Sequence, residues 1–230
     1  EPVSETEVEA LLADLAQAPL GVDREQEFRI SVAGAQEKTA LLRIDGKWHR
    51  PAGVTPTTYI LKPELGQIPS ADGMIDMSNS VDNEHYCMTL MKAFGLSVAA
   101  TEIATVGQRR VLVVERFDRH WRNAKQILRL PQEDCCQALG YPPTHKYQSD
   151  GGPNMKDIFG LLLRGADDPQ ADAAALFKSQ ILFYDVLSAQ PAVDSDQIAQ
   201  NRFPLAMSAG TNHHYRLNGV TGRHFVQSGK

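Results

Sequence analysis

The chain has 230 residues, 42% hydrophobic and 22% charged, enough to bury one or two cores and unlike a disordered or fibrous protein. Its formal net charge of −5 argues against nucleic-acid binding by bulk electrostatics. Cys87 and the adjacent Cys135 and Cys136 suit a reducing, cytoplasmic setting, and no apolar run reaches the roughly 18 residues of a membrane span.

Residues 5–17 predict a helix, with Val8, Leu11, Leu12 and Leu15 at i, i+3, i+4, i+7 and acidic residues crowding its first turns. Pro19 and Gly21 end it, and residues 1–20 read as a linker helix. Two strand-like runs, 28–30 and 40–44, then flank a small-residue turn from Ser31 to Thr39. With Gly34, Ala33, Ala35 and a hydroxyl, that turn can bring backbone N–H groups close to a phosphate; an ordinary hairpin loop is the alternative. It is not a Walker A loop, because positions 32 and 37 are Val32 and Glu37 rather than Gly.

Asp45-Gly46 marks a further turn, and 57–62 is a β-rich run stopped by Pro63. A polar loop is expected over 64–79. A second helix, capped near Ser80, places Cys87, Leu90, Met91 and Phe94 on one face, with Gly95 just past its end. Runs 98–106 and 111–114 around Gly107 predict a hairpin. Beyond Phe117 prolines and glycines punctuate irregular stretches, with helices at about 155–164 and 171–183, which places a lobe boundary near residue 118. Residues 109–129 hold seven Lys/Arg against two Asp/Glu, a solvated face or a patch toward phosphate or a partner. None of the seven His sits at a metal-ligand spacing such as HExxH, which speaks against a protein-held zinc.

The order hairpin, strand with terminal Lys62, helix with Glu84, then two strands ending in 115–117 resembles the smaller lobe of a protein kinase. Glu84 falls on the face of Cys87, Met88 and Met91, and a carboxylate on an apolar stripe needs a partner; Lys62 is the candidate. Glu115, Arg116 and Phe117 then form the hinge whose backbone reads adenine. Taken singly, each has a plainer alternative: a solvated strand-end lysine, a glutamate near a helix N-terminus for the dipole, a connecting turn.

Residues 28–42, together with 55–58, 80–84, 114–119, 130–134, 146–153 and 184–189, resemble the signature of the HipA-type serine/threonine kinase toxins of bacterial toxin–antitoxin pairs, over about residues 19–225. The resemblance implies an α+β, protein-kinase-like two-lobed fold: a linker helix (1–20), a strand-rich smaller lobe (21–118) and a mainly helical, partial larger lobe (119–230). It implies an ATP-dependent kinase in which Ala33, Gly34, Ala35, Gln36, Glu37 and Lys38 cover the ATP phosphates and Lys62 contacts them. Glu115, Arg116 and Phe117 form the adenine hinge; Tyr184, Asp185, Val186 and Leu187 line the nucleotide site, with Asp185 binding Mg²⁺. Ser31 is implied as an autophosphorylation site, where about two added negative charges repel ATP. The implied partners are a small helix-turn-helix antitoxin, operator DNA reached indirectly through it, and a protein substrate of the translation machinery, an aminoacyl-tRNA synthetase in this family.

The family's catalytic loop, Asp-Gly-x-x-Lys-Asn, belongs between Phe183 and Tyr184, which are adjacent in this chain. Either the chain is a pseudokinase that keeps the ATP cradle and serves as a repressor partner, or the segment is missing from an incomplete chain; the intact flanks favour the latter. Residues 205–216 hold two His and one Arg where some members have a Lys-rich DNA-contacting loop, so a polar loop without direct DNA contact is expected.

Overall fold

The computed structural model describes residues 1–15, 36–70, 73–124, 126–182, 204–209 and 214–216. The expected strand 28–30, Ser31, Ala33, Gly34, Ala35, Tyr184, Asp185, Val186 and Leu187 lie outside the described residues. The chain forms two compact units, Glu1–Lys92 with Ser97–Pro131, and Ala93–Leu96 with Gln132–Lys230.

The first unit begins with α1 (Glu5–Asp14), started by a capping box in which the Ser4 hydroxyl accepts from the Glu7 N–H and the Glu7 carboxylate accepts from the Ser4 N–H. Then come β1 (Thr39–Ile44), β2 (Lys47–His49), β3 (Tyr59–Pro63), β4 (Gly66–Ser70), β5 (Gly73–Met77), α2 (Ser80–Ala93), β6 (Thr101–Val106), β7 (Arg109–Glu115), β8 (Arg119–Asn123) and β9 (Gln126–Arg129). β2-β1-β3-β7-β6, in that order, form a five-stranded antiparallel sheet. The β1–β2 turn puts Asp45 and Gly46 at φ 49° and 77°, the left-handed pair a tight two-residue hairpin requires.

One sheet face is covered by α1. Val8, Leu12 and Leu15 pack with Leu41, Leu61, Val106, Val111 and Val113, the helical i, i+4, i+7 spacing meeting the strand period of two. Full burial of Leu12 alone is worth roughly 1.5–3 kcal/mol. Two of the acidic residues of α1 do more than favour the dipole: Glu5 and Glu9 accept the N–H groups of Gly107 and Gln108, closing the β6–β7 turn.

Some expectations change. The segment 64–79 is not a plain loop but carries the β4–β5 hairpin, whose Gly66, Gln67, Pro69 and Ser70 conceal the strand pattern. Ser80 does not cap α2; it is its first residue, buried, and its hydroxyl accepts the Leu65 N–H. Cys87 and Met91 are buried as their spacing predicts, whereas Phe94 is 54% exposed. The chain past Phe117 continues the first unit through the β8–β9 hairpin.

The second unit holds α3 (Cys135–Leu139), two short 3₁₀ turns, α4 (Met155–Gly165), α5 (Pro169–Leu182), β10 (Pro204–Ala209) and β11 (His214–Arg216). Asn154 and Asp157 form a capping box at the start of α4, against which α3 and α5 lie. β10 and β11 pair where a polar loop is expected, since Pro204, Ala206 and Ser208 carry little strand propensity. The three cysteines are free thiols.

Candidate functional site

Residues opposite each other across a ladder share a face, so the register of the sheet decides what surrounds Lys62. Lys62 stands opposite Leu112, and Ile60 opposite both Val114 and Ala40. Alternation adds Leu42. This face is therefore an apolar floor of Ala40, Leu42, Ile60, Leu112 and Val114, with one ammonium at its end. Leu41, Tyr59, Leu61, Val111 and Val113 belong to the other face, under α1.

At the end of that floor, Lys62 Nζ donates to Glu84 Oε1 at 2.6 Å, joining β3 to α2. The side chains are 21% and 27% exposed, so both keep an open side. The carboxylate that α2 places near its apolar stripe thus finds the partner its position demands. Lys38 lies in the same field. Burial first, and then the charge of Lys62, push its ammonium below the usual lysine range, while Glu84 pulls it back. Nearby, the side chain of Gln36 donates to the Pro63 carbonyl at 3.4 Å, tying the residues just before β1 to the end of β3. Gln36, Lys38, Lys62 and Glu84 are accordingly gathered around the end of one strand, and an anion arriving between the two ammonium groups would relieve their mutual repulsion.

The other end of the face is the connection after β7. The Glu115 N–H donates to Ala100 O and the Arg116 N–H to Thr58 O, each at 2.9 Å. Glu115 stands opposite Tyr59, so its carboxylate belongs to the α1 side and only its backbone can serve the Lys62 side. Phe117 is 72% exposed.

A cavity of about 320 Å³ is lined by Arg43, Gly46, Thr58, Tyr59, Glu115, Arg116, Arg119 and Trp121. It lies on the Tyr59 side of the sheet and includes neither Lys62 nor Glu84. Its charges are largely matched: Arg43 pairs with Glu102 at 2.6 Å and stacks on Trp48 and Tyr59. Burial, with Glu115 adding to it, raises the Tyr59 phenol above its ordinary value.

Three features escape the motif reading. Period-two alternation outward from Lys62 is the signal that marks its apolar flanks. Asp118 and Arg119, the second half of the 114–119 motif, together with Arg116 and with Thr57 of the 55–58 motif, form one part-buried network beside the hinge. Much of the basic excess over 109–129 is drawn into ion pairs: Arg110 grips Asp82 through two bonds, and Arg116 and Arg119 grip Asp118. Only the tertiary fold reveals those partners.

Metal ligation is not visible in this arrangement: among the described residues no three His, Cys, Asp or Glu converge to hold an ion. No described helix is long and apolar enough to cross a membrane.

Residues 30–187 match the family described as HipA-like C-terminal domain. The chain is 40% identical over 181 residues to "Putative kinase Y4mE" of Sinorhizobium fredii, covering 78% of this chain and 40% of that protein. It is 32% identical over 160 residues to the serine/threonine-protein kinase toxin HipA of Shewanella oneidensis, covering 68% of this chain and 34% of the toxin. The chain thus matches about a third to two fifths of the length of these relatives. The solved complex of Shewanella oneidensis HipA with HipB and operator DNA contains a chain of similar fold, with TM-score 0.70 and 21% identity, over 97% of this chain and 57% of that one.

Proposed function

Because the chain belongs to the HipA-like C-terminal domain family, we propose that it carries the nucleotide-binding part of an ATP-dependent serine/threonine protein kinase of the toxin type. The observation that carries this reading is the Lys62–Glu84 pair, half-open, at the end of an apolar sheet face that runs toward the 115–117 hinge. In a two-lobed kinase the smaller lobe presents a flat apolar surface to the base and a fixed cation to the phosphates.

The donor set suits a nucleotide triphosphate. Ile60 and Val114 offer contact to a planar base, and the backbone of the 115–117 hinge, apart from the Glu115 and Arg116 N–H groups already bonded to Ala100 O and Thr58 O, offers its edge hydrogen bonds. Lys62, aimed by Glu84, and Lys38 neutralise phosphate oxygens, with Gln36 and Glu37 and the segment Ala33, Gly34 and Ala35 as the cover. Catalysis by this half is positioning and charge neutralisation. Mg²⁺, when bound, draws charge from the β- and γ-phosphates; Asp185 is its proposed ligand, within the segment Tyr184, Asp185, Val186 and Leu187. Ser31 is the proposed self-modification site, its phosphate competing with those of ATP for the same ammonium groups. The proposed acceptor is a protein of the translation machinery, an aminoacyl-tRNA synthetase, and the proposed regulator a DNA-binding antitoxin.

A second reading has one observation in its favour. The sequence contains no Asp-Gly-x-x-Lys-Asn, and Phe183 is followed directly by Tyr184. On that reading the chain binds ATP without transferring its phosphate, and acts as a repressor partner. Incubation of the intact full-length protein with radiolabelled ATP and Mg²⁺, alongside equilibrium binding, separates the two. A kinase incorporates label in wild type and loses it in Lys62→Ala, with Ser31→Ala removing the self-modification. Binding without any incorporation supports the pseudokinase, and a chain that binds no ATP overturns both.

A further inference from the structure

Residues 116–119 form a tight turn, closed by a bond from the Arg119 N–H to Arg116 O at 3.3 Å. Inside it lies Asp118, 4% exposed. Arg116 grips its carboxylate with two parallel bonds, Nε to Oδ1 at 3.0 Å and Nη2 to Oδ2 at 2.9 Å. Arg119 Nη1 adds a third, to Oδ2 at 2.6 Å. Both arginines also reach the residue that leads into β3: Arg116 Nη1 donates to Thr57 Oγ1 and Arg119 Nε to Thr57 O, each at 3.1 Å. One carboxylate therefore couples the hinge to the strand that carries Lys62.

We propose that Asp118 is a positioning residue of the nucleotide site: clamped between Arg116 and Arg119, it fixes the backbone of residues 115–117 at the distance from Lys62 that an adenine nucleotide spans. The proposal rests on the nucleotide reading above and gives the second half of the 114–119 motif a role. A buried ion triad is a poor device for stability alone, since apolar side chains of similar volume do as well or better. What it supplies is geometry, because the planar guanidinium fork fixes angle as well as distance. Three bonds on one carboxylate and two on Thr57 leave the turn little freedom to pivot away from β3. Among the described residues no bond of the network is made to Lys62 or Glu84, so loss of Asp118 should disturb the hinge end of the site and spare the phosphate end.

That asymmetry defines the test. Equilibrium binding of Mg·ATP and of inorganic tripolyphosphate is measured on the intact chain, wild type, Asp118→Asn and Arg119→Lys, with circular dichroism and melting curves to establish folding. ATP binding is expected to weaken about tenfold in Asp118→Asn and about threefold in Arg119→Lys, while tripolyphosphate binding changes less than twofold in each. Should Asp118→Asn fail to fold, Arg119→Lys makes the same comparison. The proposal falls if the two probes weaken in step, or if neither changes. A wild-type chain that binds neither probe overturns the nucleotide reading itself, an outcome distinct from a wild type that binds both and variants that match it.

Discussion

Glu84 and Asp118 are both held by basic side chains in the first unit, yet the Glu84 side chain keeps 27% of its surface exposed and that of Asp118 only 6%. Glu84 has one lysine, a flexible point charge that can turn to a ligand without breaking the fold. Asp118 has two guanidinium groups and three short bonds, an arrangement with no room for exchange. Hydrogen bonds from Arg116, the largest influence, hold its carboxyl below the usual carboxylate range. The contrast separates two uses of an ion pair. An open, single pair at the end of an apolar face suits a site where an anion arrives; a closed triad suits a joint.

The sharpest way to break that contrast is to remove each carboxylate. Asp118→Ala leaves two buried guanidinium groups uncompensated and should cost about 3 kcal/mol or more in urea unfolding. Leu12→Ala, which empties a fully buried position under α1, should cost a similar 2–5 kcal/mol without touching either ion pair, and calibrates the packing term. Glu84→Gln should cost under about 1 kcal/mol, since the pair is part-exposed, yet weaken ATP binding severalfold by releasing Lys62. If Glu84→Gln destabilised the chain as much as Asp118→Ala, the distinction between site and joint would be lost.

The pH dependence offers a finer test. Because the folded-state value of Asp118 is depressed, its stabilising contribution is complete above the ordinary carboxylate range and is lost as pH falls through the lowered value. Unfolding midpoints of wild type and Asp118→Asn, measured from neutral to acid pH, should converge at the acid end. An effect on stability alone is expected at Gly107, with φ +59°, where an added Cβ would run into the Glu9 carboxylate. Gly107→Ala should cost about 1 kcal/mol, by melting, and leave nucleotide binding unchanged.

Several elements were written locally. The 3.6-residue spacing of Val8, Leu12 and Leu15, the Asp45-Gly46 turn and the hairpin around Gly107 need only nearest-neighbour chemistry, and the structure has them. The Lys62–Glu84 pair was legible by a short argument, because a carboxylate beside an apolar stripe requires a cation and few were placed to reach it. Weak strand formers concealed the hairpins β4–β5 and β10–β11, which are held by backbone pairing whatever their side chains. Which face of the sheet Lys62 shares with Ile60 and Val114 depends on strand register, and register is a property of pairs of strands. Asp118, Arg116, Arg119 and Thr57 come from segments some 60 residues apart, and the cluster of basic residues could not announce that two of them close on one buried carboxylate. The sequence by itself determined α1, α2, the Asp45-Gly46 turn and the hairpin around Gly107, because those follow from local spacing and turn chemistry; only the tertiary structure decided which weak strand formers pair, and which charge is open and which is locked, because burial is set by what packs around a group.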